Sequence, residues 1–230
     1  GSSTNDTFSI STGASAVTLN GLAGEDTVTI SASAVSLTDS VFGLGDADDT
    51  FAISTANSTG ANFQSATIKG GAGDDTISIG TFSSEVNNVS VRGNAGDDTI
   101  NIDLTAQDGT ASSLNIQGNA GDDIVTVTAD AADTVFDAYI GGGADDDRLT
   151  FDGGTFRDST LIGGFGTDSA NVNADLDSAL IQLGNGSNSD TDSADTLALS
   201  GAIANSTIKG GAGGDTLTIA LFDDSTATEI

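Results

Sequence analysis

An aspartate stands just before each of a series of short apolar stretches, and this pair of features recurs along almost the whole chain. The residues two and four positions later are apolar, as in Ile77 and Ile79 after Asp75, and a polar residue separates them. This alternation has the period of a β-strand with one buried face. The aspartate occurs ten times, at intervals of 20 to 27 residues: Asp6, Asp26, Asp49, Asp75, Asp98, Asp123, Asp147, Asp168, Asp195 and Asp215. The chain is therefore predicted to consist of repeated strands.

A second short apolar stretch precedes most of the glycine-rich turns, for example "ATIK" before Gly70 and "VSVR" before Gly93. Each unit of about 23 residues thus has two predicted strands and two turns. A unit of this size cannot enclose its own apolar face, so neighbouring units must stack and share it. We predict an all-β fold, a single parallel β-solenoid of about ten coils that spans residues 1–230 as one repeat domain without an internal linker. At a strand spacing of about 4.8 Å, ten coils form a rod roughly 48 Å long.

The charge and composition exclude several classes of function. The 230 residues include 34 acidic and 5 basic ones, which gives a net charge of −29. Such a surface repels the phosphates of nucleic acids and of anionic membranes, and no stretch approaches the roughly 18 apolar residues of a membrane span. Cys and His are absent, so disulfides, Cys/His zinc sites, thiolate nucleophiles and histidine bases are excluded. We expect a protein that is not an enzyme, binds no nucleic acid and does not insert into membranes.

The glycine-rich turns share a nine-residue pattern. "GGAGDDTIS" (Gly70–Ser78) fits G-G-x-G-x-D-x-U-x at every fixed position, where U is a large apolar residue, and "GNAGDDTIN", "GNAGDDIVT", "GLAGEDTVT" and "GGAGGDTLT" depart from it at few positions or none. In these residues the chain resembles the RTX repeats of secreted bacterial proteins. The resemblance implies a β-roll-like solenoid, located outside the cell or at its surface, that binds several Ca²⁺ ions. Because the motif occurs once per coil here, we expect one row of ions along one edge.

The same turns supply oxygen atoms of the kind that Ca²⁺ binds. Glycines allow positive φ, so that carbonyls point into the turn, and the aspartate adds a carboxylate. The carboxylates carried over from the resemblance are Asp26, Asp49, Asp75, Asp98, Asp123, Asp147, Asp168 and Asp215. The turn residues in the predicted metal sites are Gly70, Ala72, Gly93, Ala95, Gly118 and Ala120. The alternative is an aspartate that only caps the backbone of its turn.

Three further sets of residues leave alternatives open. The acids beside the repeated aspartate either cap the turn or take part in ion binding: Glu25, Asp48, Asp74, Asp97, Asp122 and Asp146. Lys69, Arg92 and Lys209 precede their turns on the outward face, where charge relief is favoured over a binding site. An insertion between Gly184 and Thr196 forms an acidic loop, with Asp190, Asp192 and Asp195, that could hold an ion of its own.

The composition and the resemblance together favour a structural role, as the shaft or subunit of an extracellular filament, surface layer or adhesin. The repeat starts at a strand and stops soon after one, from which we expect either head-to-tail self-association or a slice of a longer protein. An accessory repeat module of a secreted enzyme stays open as an alternative. So does an ice-binding surface built on an outward threonine column, although Ile124, Arg148 and Ser169 interrupt that column.

Overall fold

The structure, a computed structural model, describes residues 3–11, 14–31, 37–54, 62–80, 82, 86–105, 109–184 and 193–220. Within these ranges the chain forms 24 β-strands and no helix. Each strand pairs in parallel with the equivalent strand of the next coil, and residues at equivalent repeat positions lie side by side. The predicted all-β parallel β-solenoid is therefore confirmed. The described part contains no helix with the length and apolarity to span a membrane.

Face 1 of the solenoid consists of the strands that follow the repeated aspartate. The ladder has ten strands, in line with the ten coils predicted: β1 (Thr7–Ile10), β4 (Thr27–Ile30), β7 (Thr50–Ile53), β10 (Thr76–Ile79), β12 (Thr99–Asp103), β14 (Ile124–Thr128), β17 (Arg148–Arg157), β19 (Ser169–Asp177), β21 (Thr196–Ser200) and β24 (Thr216–Ala220). Their alternate side chains form rows, so that Ile77 pairs with Ile100 inside and Thr76 with Thr99 outside. The period-2 pattern of the sequence predicted this face correctly.

Face 2 was not predicted as a strand region. Its members are only two or three residues long: β2 (Ala14–Ser15), β5 (Leu37–Thr38), β8 (Phe63–Gln64), β15 (Thr134–Phe136) and β22 (Ile203–Ala204), with the start of β11 and β13 and the end of β17 and β19. Strands this short show less than one full apolar alternation, so their periodicity cannot be detected. Each coil consequently has three sides rather than two.

Face 3 leads into the glycine-rich turn, as the second apolar stretch predicted. Its strands are β3 (Thr18–Ala23), β6 (Val41–Asp46), β9 (Thr67–Ala72), the later parts of β11 (Val86–Ala95) and β13 (Thr110–Ala120), β16 (Tyr139–Ala144), β18 (Thr160–Phe165), β20 (Leu180–Gly184) and β23 (Thr207–Lys209). The turn then returns the chain to face 1 of the next coil.

A single residue in the left-handed conformation makes the corner between faces 2 and 3. This corner column has φ values from 47° to 58° and comprises Ala16, Asp39, Ser65, Asn88, Ser113, Asp137, Asp158, Ser178 and Asn205. Asp and Asn are among the residues that adopt this conformation most readily, because their short side chains can bond locally. The corner thus turns the chain sharply within one residue and keeps the strands of every coil in register.

The interior is filled by the inward rows of the three faces. Fully buried aromatic rings pack where faces meet, with the centroids of Phe42 and Phe51 5.1 Å apart and those of Phe151 and Phe156 4.7 Å apart. Burying a large apolar side chain contributes about 1.5–3 kcal/mol. Because each coil shares this interior with both neighbours, the solenoid gains stability as coils are added.

Candidate metal centre on the glycine-rich edge

The repeated aspartates form a continuous ladder along the edge where face 3 turns into face 1. In this inner ladder the backbone N–H of each aspartate donates to Oδ1 of the aspartate in the following coil, from Asp6 to Asp215. The nine N···O distances lie between 2.5 and 3.2 Å. Seven of the predicted ligands are buried in it: Asp26, Asp49, Asp75, Asp98, Asp123, Asp147 and Asp168. The backbone N–H of each aspartate is therefore bonded to a side-chain carboxylate of the following coil and not to a backbone carbonyl.

The second carboxylate oxygen of the inner ladder points into the interior of the turn. Oδ2 is buried and accepts no hydrogen bond in six residues: Asp26, Asp49, Asp75, Asp98, Asp123 and Asp147. In all of these except Asp49, Oδ2 lies against the glycine five residues earlier, so closely that a Cβ on Gly93 would come within 1.9 Å of Oδ2 of Asp98. The first glycine of the motif therefore makes room for the carboxylate five residues later, whereas Leu44 occupies this position before Asp49.

An outer ladder runs beside the inner one with the opposite polarity. Oδ1 of each outer acid accepts the backbone N–H of the equivalent residue in the following coil, through Asp48, Asp74, Asp97, Asp122 and Asp146 to Thr167. The N···O distances are 2.7 to 2.9 Å. These side chains are exposed, so the outer ladder presents its second carboxylate oxygens to solvent. The five aspartates of this ladder thus cap the backbone of the following coil, and their part in ion binding, the other alternative, stays a prediction.

The turn carbonyls are also engaged along the axis. The carbonyl oxygens of Ala72, Ala95 and Ala120 accept backbone N–H groups of the preceding coil at 2.5, 2.8 and 2.9 Å. The glycine at the fourth position of the motif makes this stacking possible: Gly96 has a φ of 118°, and a Cβ there would lie 2.2 Å from the carbonyl oxygen of Gly73. Positive φ and close backbone approach both require glycine.

Burial raises the pKa of the inner-ladder carboxyls far above the ordinary value of 3.8. The pKa rises to about 7 in Asp75, about 6 in Asp98, about 7 in Asp123 and about 8 in Asp147. Loss of hydration is the largest cause, and the charges of neighbouring aspartates add to it, while the N–H donated to each carboxyl acts in the opposite direction. Near neutral pH these groups lie between a protonated and a charged state.

The raised pKa values predict that the metal-free protein becomes less stable as the pH rises. The folded state holds protons that the unfolded chain has already lost above its pKa of 3.8, so this stabilisation is complete below about pH 4 and disappears through pH 6 to 8. We expect the melting temperature of metal-free protein, measured by calorimetry from pH 4 to 8, to fall over this range. A melting temperature that rises with pH would contradict the burial of these carboxyls.

The donor set of this edge is suited to a cation that prefers oxygen. Its carboxylates and backbone carbonyls are ligands of Ca²⁺, and the Oδ2 atoms of Asp26, Asp49, Asp75, Asp98, Asp123 and Asp147 accept no hydrogen bond. Among the described residues no three acidic side chains converge as one metal-binding group. A cation here would therefore take one or two carboxylates and complete its coordination with carbonyls and water. The calcium role of the predicted ligands stays a prediction.

Asp195 is the member of the inner ladder whose position the sequence left open. The insertion before Asp195 made its position doubtful, yet its Oδ1 accepts the N–H of Asp168 at 2.7 Å, in line with the rest. The strand that follows it, β21, pairs in register with β19, and this alternation was the signal that could have placed it. Asp190 and Asp192 lie outside the described residues. Asp215 takes the last position, accepting from Asp195 at 3.2 Å.

No protein-family model matches this chain, and comparisons with curated proteins and with solved structures gave no significant match. The geometry of the two ladders is therefore the principal support for a function.

Proposed function

We propose that this chain is an extracellular structural β-solenoid that takes up Ca²⁺ along its glycine-rich edge and serves as the shaft or subunit of a filament, surface layer or adhesin. The observation that carries the proposal is the row of six buried Oδ2 atoms without a hydrogen-bond donor. A buried carboxylate needs a partner charge or a proton, because desolvation penalises its ionised form. A cation that binds along the edge supplies that charge to several coils at once.

The charge balance favours divalent cations over charge relief by basic residues. The chain has a net charge of −29, and in the described part its ion pairs join Arg157 to Asp158 and Asp177, away from the glycine-rich edge. Equivalent carboxylates in successive coils are about 4.8 Å apart and repel one another. Bound cations would remove this repulsion. The turn motif, which resembles that of RTX repeats, supports Ca²⁺ as the ion.

Weak calcium sites suit a protein that works outside the cell. Extracellular modules bind Ca²⁺ with dissociation constants of about 10⁻⁴ to 10⁻³ M, and such sites fill only where calcium is abundant. Binding to the folded state alone contributes about 1.4 kcal/mol per site at ten times the dissociation constant. The proposed secretion and the proposed ion uptake are thus mutually consistent: the chain would reach full stability after export.

Substitution of Asp98 by asparagine tests the proposed sites. Asp98→Asn keeps the Oδ1 acceptor for Asp75 but removes one buried charge, so calorimetric titration should show weaker or fewer calcium sites. The control is Asp39→Asn, which removes the same charge from an exposed corner residue whose φ of 52° suits asparagine. A wild-type chain that takes up no Ca²⁺ at millimolar concentration, or an equal loss in both variants, would overturn the proposal.

Self-association through the ends of the ladder is part of the same proposal. In the last described strand, β24, the apolar side chains of Leu217 and Ile219 are 50% and 42% exposed, whereas those of Leu197 and Leu199 in β21 are buried. A parallel ladder can continue across such a strand by pairing with the first strand of a second copy. We expect light scattering in millimolar calcium to detect end-to-end assemblies, and strictly monomeric rods would contradict this.

A further inference from the structure

A polar pocket of about 440 Å³ lies on the outside of face 3, across strands β9, β11 and β13. Two of the five basic residues of the chain, Lys69 and Arg92, line it. Hydroxyl and amide groups, including those of Ser90 and Asn115, complete the wall, and no acidic residue contributes to it. In a chain with 34 acidic residues, this is an uncommon local composition.

The two cations stand next to each other without a counter-charge. Lys69 and Arg92 pair in register on β9 and β11, which places their backbones about 4.8 Å apart and their charges in mutual repulsion. In the described coils neither side chain forms an ion pair, in contrast to Arg157, which lies between two aspartates. The Nε of Arg92 is buried and has no hydrogen-bond partner. Charge relief does not explain a pair of cations placed in this way.

The corner column is neutral where these cations stand. Ser65, Asn88 and Ser113 hold the corner in the three coils that border the pocket, while Asp39 precedes them and Asp137 follows. The adjoining coils therefore carry acids at a position where the pocket coils carry hydroxyl and amide groups. The corner residues of the pocket coils therefore carry no charge of their own, and Asp137 of the following coil accepts a hydrogen bond from Ser113 at 3.3 Å.

We propose that the pocket binds the oxyanion group of an anionic ligand, a sulfate, phosphate or carboxylate. The guanidinium of Arg92 can present parallel N–H groups to two oxygens, and Lys69 adds a point charge with three donors. Hydroxyl and amide groups on the wall can satisfy the remaining oxygens. This site lies on the outer surface of face 3, whereas the aspartate ladders lie in the turn that follows. Binding of an anion here does not depend on calcium uptake by the ladders.

The neighbouring surface provides room for the rest of such a ligand. Tyr139 follows Asn115 in the same outward column, and this residue, 37% exposed, borders a notch of about 300 Å³ that Gly141 also lines. Gln117 joins the two regions, because it lines the notch and its Nε2 donates to Oδ1 of Asn115 at 2.8 Å. Tyr139 lies two coils from Arg92, so a ligand that carries a ring beside its oxyanion would reach toward it across Asn115 and Gln117.

The test is a ¹H–¹⁵N NMR titration of the full chain in millimolar calcium, with inorganic sulfate, acetate and glucose 6-phosphate as separate ligands. We expect saturable shifts of the Arg92 Nε–H signal and of the β9 and β11 amides. Sulfate against acetate distinguishes a tetrahedral group from a carboxylate, and tighter binding of glucose 6-phosphate indicates that the ring contributes. Absence of saturable shifts with all three ligands at about 10 mM would overturn the proposal, since any dissociation constant would then exceed this concentration.

Two variants and one control distinguish specific binding of the anion in the pocket from attraction by the charge of the whole protein. Arg92→Gln and Lys69→Gln should each weaken binding about 10- to 100-fold, the worth of a charge-assisted hydrogen bond. Lys69 is exposed, so its variant should fold even where Arg92→Gln does not. Arg148→Gln removes the same charge from the exposed side of face 1 and should leave affinity within about twofold. An equal loss in Arg148→Gln would show that net charge alone attracts the ligand.

Discussion

Removal of calcium at neutral pH should unfold much of the solenoid. Each weak site that fills at ten times its dissociation constant contributes about 1.4 kcal/mol, and a row of such sites adds up to the 5–15 kcal/mol that typically separates folded from unfolded domains. The buried carboxyls of the inner ladder then lose their counter-charges together. We expect excess EGTA at pH 7.5 to abolish most of the β signal in far-UV circular dichroism, and added Ca²⁺ to restore it.

Two controls identify the cause of this unfolding. Magnesium should not replace calcium, because it requires near-ideal octahedral geometry and dehydrates reluctantly. Acidification of the metal-free protein to about pH 4 should restore the β signal, since protons then neutralise carboxyls whose folded pKa values are about 6 to 8. A spectrum and melting temperature that EGTA leaves unchanged at neutral pH would contradict the proposed role of calcium in folding.

Replacement of Gly118 by alanine should destabilise this edge strongly. A Cβ at Gly118 would lie 2.0 Å from Oδ2 and 2.6 Å from Cβ of Asp123. Asp123 cannot move away easily, because its Oδ1 accepts the N–H of Asp98 at 2.8 Å and the residue is buried. Such overpacking costs about 1–3 kcal/mol, and more where a buried hydrogen bond also breaks. We expect a fall in melting temperature of several degrees.

The final described turn offers a matched pair for the same test. At Gly210 a Cβ would come within 2.2 Å of Oδ2 of Asp215, whereas a Cβ at Gly214 has no atom within 4 Å and its backbone is not left-handed. Gly210→Ala should therefore destabilise, while Gly214→Ala should stay within about 0.5 kcal/mol of the wild type. Equal effects of the two substitutions, measured by thermal unfolding in the same buffer, would show that the Asp215 carboxylate does not restrict position 210 to glycine.

The repeated aspartate allowed the strands of faces 1 and 3 to be predicted from the sequence. Alternation after Asp75 and before Gly70 is long enough to define a buried side, and recurrence of the same motif in every unit implies in-register stacking. Face 2 could not be predicted in this way, because strands such as Leu37–Thr38 have only two residues and show no alternation. The left-handed corner was not predicted because a single residue makes the turn. Asp39 and Asn88 are nevertheless residue types that adopt this conformation readily.

The orientation of the aspartates could not be predicted in the same way. The motif indicated that Asp98 belongs to the turn, but the partner of its Oδ1 is the backbone N–H of Asp75, 23 residues earlier. Such a bond depends on the coil spacing, which local sequence patterns do not contain. One signal was present: a glycine stands five residues before most of the repeated aspartates, as Gly93 does before Asp98. Its regularity reflects the packing of Oδ2 against that glycine.

The most direct test of the account is an anomalous difference map from crystals of the chain grown in millimolar calcium. The account predicts a row of peaks along the glycine-rich edge, one beside each of several successive inner-ladder aspartates, at intervals of about 4.8 Å. Coordination should combine carboxylate oxygens with turn carbonyls and water, at about 2.3–2.6 Å. A well-ordered edge without anomalous peaks, in crystals that contain calcium at this concentration, would contradict the central claim that the aspartate ladders take up Ca²⁺.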